Sequence, residues 1–340
     1  MPSHKAAADG IAPSDGFSRG FRSTLSRGDK CSGSSRARVN CSIICYVTKM
    51  NVPKILYKYT SSDTARILLE SGRLRWSSPL LFNDLAEFQR MPRFEPSLDE
   101  SLAKFPQVLL QVALGEVAVR EVELSRGSKL LLEMVRMLLK SDMGREELIN
   151  ELSREVSGAD DRMSSALRAT FEFFDLNTAR VFCLTTEYEN DVMWAHYAEQ
   201  HTGVVLGFQH LPQLDTPFLA ARPVSYSVAP PVVGSGEEFL LYGDTAELRK
   251  KTLDAVCFTK SSRWQYENEW RVVTWRPEEA GKNYGDYKFY PDELESICFG
   301  PRFDLSRQEE FASLLSSCYP RCTLYKLQFE FGEPRRVAIR

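Results

Sequence analysis

An α+β fold, with a mixed or antiparallel sheet as its core and one helical insertion, is what three features of this 340-residue chain predict. Short segments that alternate apolar and polar residues recur from Ile55 to Phe331. Helical stretches interrupt them irregularly, so hairpin-length and crossover-length connections are mixed. Residues 97–176 carry helical periodicity alone. Composition agrees, because 43% hydrophobic and 26% charged residues are the proportions of an ordinary globular protein.

The elements follow in order. Residues 1–49 are rich in serine, glycine and basic residues, which predicts a disordered tail. No apolar stretch follows the charged start as a signal peptide requires, and Asp9, Asp15 and Asp29 argue against a transit peptide. Met50 directly precedes the first strand, as if the start codon had been placed too early. Residues 50–340 read as a single α+β domain. Ile55–Tyr59 alternates as a strand; Thr60-Ser61-Ser62-Asp63 then supplies an N-cap for a helix closed by Gly72. Arg73–Ser77 is a second strand, running into a turn-rich segment through Asp84. In the block 97–176, Leu130, Leu131, Met134, Leu138 and Leu139 form one apolar stripe, and Leu148, Leu152 and Val156 continue it. Further strands are expected at Val181–Thr185, Gly203–Gln209, Val224–Ser227, Trp264–Trp275, Ser296–Gly300 and Leu324–Phe331. Helices are expected at 190–201, 244–257 and 305–318. Asn190 or Asp191 caps the first of these, and His201 sits at its C-terminal end, where the helix dipole favours it. At 100° per residue His196 points away from His201, so the two cannot pinch one metal ion.

Several function classes drop out. No run approaches the ~18–20 apolar residues of a membrane span. A net charge of −3 offers no electrostatic surface for nucleic acid. Eight scattered cysteines make no disulfide framework and point to a reducing cytoplasm. Cys318-x-x-x-Cys322 has no second pair, so it is not read as a zinc site. Gly-x-Gly-x-x-Gly, Walker, Gly-x-Ser-x-Gly and His-Glu-x-x-His patterns are all missing. What remains is a small-molecule or nucleotide ligand, with a nucleic-acid or protein acceptor left open.

The chemistry concentrates in Trp264–Val273. At period two, Trp264, Tyr266, Trp270 and Val272 share one face, which makes Trp264 and Trp270 expected core anchors. Glu267 and Glu269 share the other face with Arg271, outside the core. Two carboxylates so close repel and raise one pKa, which suits acid–base or oxocarbenium chemistry; a solvated strand face is the plainer reading. Asn83 and Asp84, with Glu87, either build a turn or grip ribose hydroxyls. Asp84, Glu87, Glu267 and Glu269 would also serve a metal-dependent nuclease, against which the charge balance speaks. A non-catalytic binding or sensing module is the other class.

Read together, the blocks Leu56-Tyr57-Lys58-Tyr59, Leu74-Arg75-Trp76-Ser77-Ser78-Pro79, Phe82-Asn83-Asp84-x-x-Glu87, Met193-Trp194-x-His196-Tyr197-Ala198-x-x-His201-x-Gly203, Gly207-Phe208 and Lys260-x-x-x-Trp264-x-Tyr266-Glu267-x-Glu269-Trp270-Arg271 resemble a bacterial family. It is catalogued as domain of unknown function 2971, and the likeness runs over about residues 53–331. It departs from the family at Leu85, where proline is usual. A second resemblance is to ADP-ribosyltransferases, in the order of a tyrosine-bearing first strand, a Trp-Ser-Ser second strand and a late Glu-x-Glu. It implies NAD as substrate, in an activity of the kind that bacterial toxins and defence effectors use. Tyr57 or Tyr59 and Ser77 or Ser78 would hold the NAD. Glu269 would stabilise the ribose oxocarbenium and Glu267 would activate an acceptor. Asn83, His196 and His201 are further candidates for lining the pocket.

Overall fold

The computed structural model describes residues 52–339 apart from 91, 142–143, 157–175 and 215, so the tail expected over 1–49 lies outside the described residues. Strand β1 (Ile55–Thr60) leads into helix α1 (Ser62–Ser71). The Ser61 side chain accepts from the Thr64 amide at the start of α1, and Gly72, at φ 61°, ends it. Next come β2 (Arg73–Ser77) and the short β3 (Arg93–Phe94). Helices α2 (Leu98–Ala113), α3 (Arg126–Leu138) and α4 (Arg145–Val156) follow. Then come β4 (Ala179–Thr185), α5 (Asp191–Tyr197) and β5 (Val204–Gln209). Short strands β6 (Arg222–Pro223), β7 (Ser225–Ser227) and β8 (Val232–Gly234) precede α6 (Gly236–Tyr242) and α7 (Ala246–Cys257). The chain closes with β9 (Thr259–Ser261), β10 (Glu269–Trp275), β11 (Tyr284–Lys288), β12 (Leu294–Phe299), α8 (Gln308–Cys318), β13 (Thr323–Glu330) and β14 (Glu333–Ala338).

The result is the expected α+β architecture. The main sheet runs β11-β2-β4-β1-β5-β12-β13-β14, with every neighbour antiparallel except the β12–β13 pair. One apolar core lies against this sheet, with Leu68 and Leu69 of α1 and Phe311 and Leu315 of α8 packed on it. A second core joins α2, α3, α4 and α6.

The sheet forks at β4. One edge of β4 pairs with β10 along its length, from Glu269 opposite Thr185 to Trp275 opposite Ala179. The other edge is divided: Thr185 pairs with Tyr57 of β1, and Val181 pairs with Ser77 of β2. Between these two contacts β1 and β2 part, and Lys58 Nζ donates across the gap to the Cys183 carbonyl at 3.1 Å. A cavity opens there.

Four local expectations need correction. The strand expected over Trp264–Trp275 begins only at Glu269; Ser262–Glu267 form a 3₁₀ helix, and Asn268 takes the left-handed conformation at φ 41°. Asparagine tolerates that region better than most residues, so a period-two reading through it fails. Helix α5 ends at Tyr197, not 201: Glu199, Gln200 and His201 all have positive φ. That turn delivers the chain to Gly203, where any side chain would run into the Thr60 carbonyl. His201 is therefore not a helix C-cap; Asn190 does cap the N-terminus, accepting from the Met193 amide. In α3 the buried positions are Leu132 and Val135, while Leu130 is 59% exposed. Leu131, Met134, Leu138 and Leu139 pack against the same core as expected, so the stripe is centred on Leu132 and Val135 and only Leu130 falls outside it.

Candidate active site

The cavity in the fork has a volume of about 230 Å³. Its walls include Tyr57, Tyr59, Ser77, Asn83, Glu267 and Glu269, six of the residues singled out from the sequence. Strands β1 and β2 supply the first three, and the turn after β2 supplies Asn83. The last two flank Asn268, whose left-handed turn re-aims the backbone between them.

The glutamates are not on an outer face. Glu267 and Glu269 are only 3% and 4% exposed, and Arg271 is wholly buried. Trp264 and Trp270 are the half-buried ones. The expectation of tryptophan anchors with carboxylates outside the core is thus inverted, because the Glu269–Arg271 face of β10 is covered by Phe82, Phe88 and the α7–β9 connection.

Lys260 organises the carboxylates. Its Nζ lies 2.5 Å from Glu267 Oε2, 3.1 Å from Glu269 Oε2 and 3.4 Å from Glu87 Oε2. Arg271 completes the cluster, with Nε 2.6 Å from Glu269 Oε1 and Nη2 2.8 Å from Oε2. It also meets Glu87, and its Nη1 donates to the Cys257 carbonyl at 2.9 Å. The Tyr197 hydroxyl donates to Glu267 Oε1 at 2.6 Å. Buried charge is tolerated here because each carboxylate meets a cation or a hydroxyl donor.

The electrostatic consequences are specific. Burial pushes the Glu269 carboxyl up to about 7, with Lys260 acting against it and Glu267 reinforcing it. For Lys260 burial opposes the charge, but Glu269 and Glu267 outweigh it and hold the ammonium above its ordinary range. Burial lowers Arg271 to about 9, against the attraction of Asp84. Burial and the bond to Glu267 raise the Tyr197 hydroxyl. Near neutral pH Glu269 can thus exchange a proton while Lys260 and Arg271 stay charged.

Three expected residues lie elsewhere. Ser78 is fully buried beneath the wall, donating to the Leu176 carbonyl and accepting from the Leu80 amide. His196 bonds the Tyr266 hydroxyl at 3.2 Å on the outside of α5. His201 follows the left-handed turn, with Nδ1 lacking a partner. Neither histidine lines the cavity. Asp84 does, and its Oδ1 accepts from the Ala86 amide, so the turn chemistry is present. Its buried Oδ2 has no partner and is free to accept from a ligand.

Sequence reasoning missed Lys58, Lys260, Trp264 and Tyr197 as wall residues. One signal existed: Lys260 follows Val256-Cys257-Phe258-Thr259 closely, and a lysine beside such an apolar run is buried only if carboxylates meet it. The same lysine bears on the nuclease reading. Asp84, Glu87, Glu267 and Glu269 do converge, but an ammonium stands at the focus of three of them, where a metal ion would have to bind. Among the described residues no group of His, Cys, Asp and Glu is arranged to hold a metal ion.

Residues 193–272 match the profile of a family described as a protein of unknown function, DUF2971, which bears out the first resemblance over that segment. The matched stretch contains Tyr197, Lys260, Trp264, Glu267 and Glu269, one side of the cavity, and Arg271 behind them; the β1–β2 wall lies outside it. No curated protein and no solved structure matches the chain. No helix among the described residues is long and apolar enough to cross a membrane.

Proposed function

We propose that this chain cleaves NAD or transfers its ADP-ribosyl group, taking the nicotinamide–ribose end into the cavity at the sheet fork. The observation that carries the reading is convergence: Glu267 and Glu269 border the same cavity as Tyr57, Tyr59, Ser77 and Asn83. Charge supports it. Asp84, Glu87, Glu267 and Glu269 outnumber Lys58, Lys260 and Arg271, while Arg75 is paired with Asp286. A negative surplus beside the rings of Tyr57, Tyr197 and Trp264 favours a cationic aromatic group such as the pyridinium of nicotinamide. Cavity size fits one end of the dinucleotide, being below the ~300–1,000 Å³ of sites for whole drug-sized ligands.

In this reading the bond between ribose C1′ and the nicotinamide nitrogen breaks, and nicotinamide leaves with the bonding electron pair. Positive charge develops on the ribose next to Glu269, which stabilises it. Water adds to the ribose cation at C1′ and releases its proton to solvent, or an acceptor nucleophile adds there and gives its proton to Glu267. Hydrolysis yields ADP-ribose, nicotinamide and a proton.

Nicotinamide release from NAD by the purified protein, with and without cell extract, tests this. Wild type should release it, Glu269→Gln should not, and Glu267→Ala should retain hydrolysis while losing transfer. No release under either condition overturns the reading. A binding or sensing module is the second reading, favoured because both oxygens of Glu269 are already engaged by Arg271 and Lys260. Ligand binding by wild type without turnover would select it.

A further inference from the structure

Outside the inner cavity lies a second concavity of about 420 Å³, lined by Asp84, Arg90, Ser261, Ser262, Arg263 and Trp264 among others. Asp84 and Trp264 belong to both, so the two spaces share a wall. Their chemistry is opposite. The inner one is ringed by carboxylates. The outer one carries two guanidiniums and two hydroxyls, and neither arginine has an ion-pair partner among the described residues. Arg90 only donates to the Ser227 carbonyl at 3.1 Å, and Arg263 is exposed. Elsewhere some exposed arginines, such as Arg75, are paired with carboxylates, while Arg73, Arg126 and Arg302 have no ion-pair partner among the described residues. What distinguishes Arg90 and Arg263 is their place: both line one basin, next to a compartment of the other sign.

We propose that the outer basin is a subsite for the phosphorylated part of the ligand, so that the site as a whole takes a two-ended molecule: a cationic ring inside and a phosphate outside, with Trp264 and Asp84 at the crossing. Guanidinium groups match phosphate oxygens in bidentate geometry, and Ser261 and Ser262 add hydroxyl donors. Asp84 borders both spaces and marks where the preferred ligand charge changes sign. The inference rests on the cationic-ring reading of the inner cavity, and it adds a requirement for phosphate at defined residues.

The test uses the full chain carrying Glu269→Gln, so that ligand is not consumed, and titration calorimetry with nicotinamide riboside and nicotinamide mononucleotide. These ligands share the cationic ring and ribose and differ by one phosphate. The mononucleotide should bind about tenfold tighter, the scale of one charge-assisted contact. Arg263→Gln and Arg90→Gln should each erode that advantage and leave riboside affinity unchanged. Arg263 is exposed, so its replacement does not threaten the fold. Equal affinity for the two ligands, or arginine substitutions that weaken both alike, overturns the phosphate subsite and leaves the inner-cavity reading standing. Binding of neither ligand overturns both.

Discussion

Lys260 decides how the site tolerates its own charge. Glu87, Glu267 and Glu269 share Lys260 and Arg271, so the cluster holds one carboxylate more than its cations. Removing a cation leaves two buried charges uncompensated, whereas neutralising a carboxylate restores balance. Lys260→Met should therefore lower stability by about 3–5 kcal/mol, as breaking a buried ion pair does. Glu269→Gln, which keeps shape and acceptor capacity toward Arg271, should cost much less. Urea midpoints of the two variants check the contrast, and a larger loss for Glu269→Gln would contradict it. The raised pKa of Glu269 adds a pH dependence. A carboxyl whose folded value is about 7 rather than 4.5 binds its proton more tightly in the native state. Its stabilising contribution is complete below pH 4.5 and is lost as pH rises through 7. Wild type should thus lose stability relative to Glu269→Gln across that window, measured as the difference between their urea midpoints at each pH. Glu267, Glu269 and Asn83 were legible as candidates from short-range pattern, and Tyr57, Tyr59 and Ser77 through the resemblance to ADP-ribosyltransferases. Lys260 and Tyr197 were not, since their meaning lies in contacts with carboxylates that only the fold supplies.

Between residue and fold, the element that matters is the junction from 3₁₀ helix to β10. A continuous strand would keep Glu267 and Glu269 on one face about 7 Å apart. Instead Asn268 turns the chain, and both carboxylates reach one ammonium. Asn268→Gly keeps the left-handed conformation available and should leave stability within a few tenths of a kcal/mol and ligand affinity intact. Asn268→Val should cost about 1–2 kcal/mol from the backbone alone and displace Glu267. Thermal unfolding and ligand titration of the pair separate the two effects; equal behaviour of both variants would refute the role given to the turn. Most element positions were readable, from Ser61 and Gly72 bounding α1 to the alternation in β2. The junction was not, because Trp264, Tyr266 and Trp270 imitate a strand period through a residue that breaks it. Gly203 was visible only as a helix stop, while its close approach to the Thr60 carbonyl is a property of the packed sheet.

At the scale of the whole molecule, the described residues form four buried apolar clusters, of which the sheet core and the helical core are the two largest. The sheet core with α1 and α8 supports the fork, and the α2–α4 and α6 core stands apart from it. Leu148 and Leu152 are fully buried in that second core. Leu148→Ala should cost about 2–5 kcal/mol by the cavity it leaves, yet leave ligand affinity at the fork unchanged. Denaturation and calorimetry on the same variant test that independence. The α+β class was legible from alternating segments and helical spacing. The fork was not, since it arises where β4 divides one edge between β1 and β2, and no local pattern encodes which distant strands share an edge. The central claim, that this fork is the ligand site, is tested most directly by a crystal structure of the Glu269→Gln protein grown with saturating NAD. The nicotinamide ring should lie in the cavity between Trp264, Tyr57 and the carboxylates at positions 267 and 87. NAD bound elsewhere, or a cavity without ligand at saturation, would contradict it.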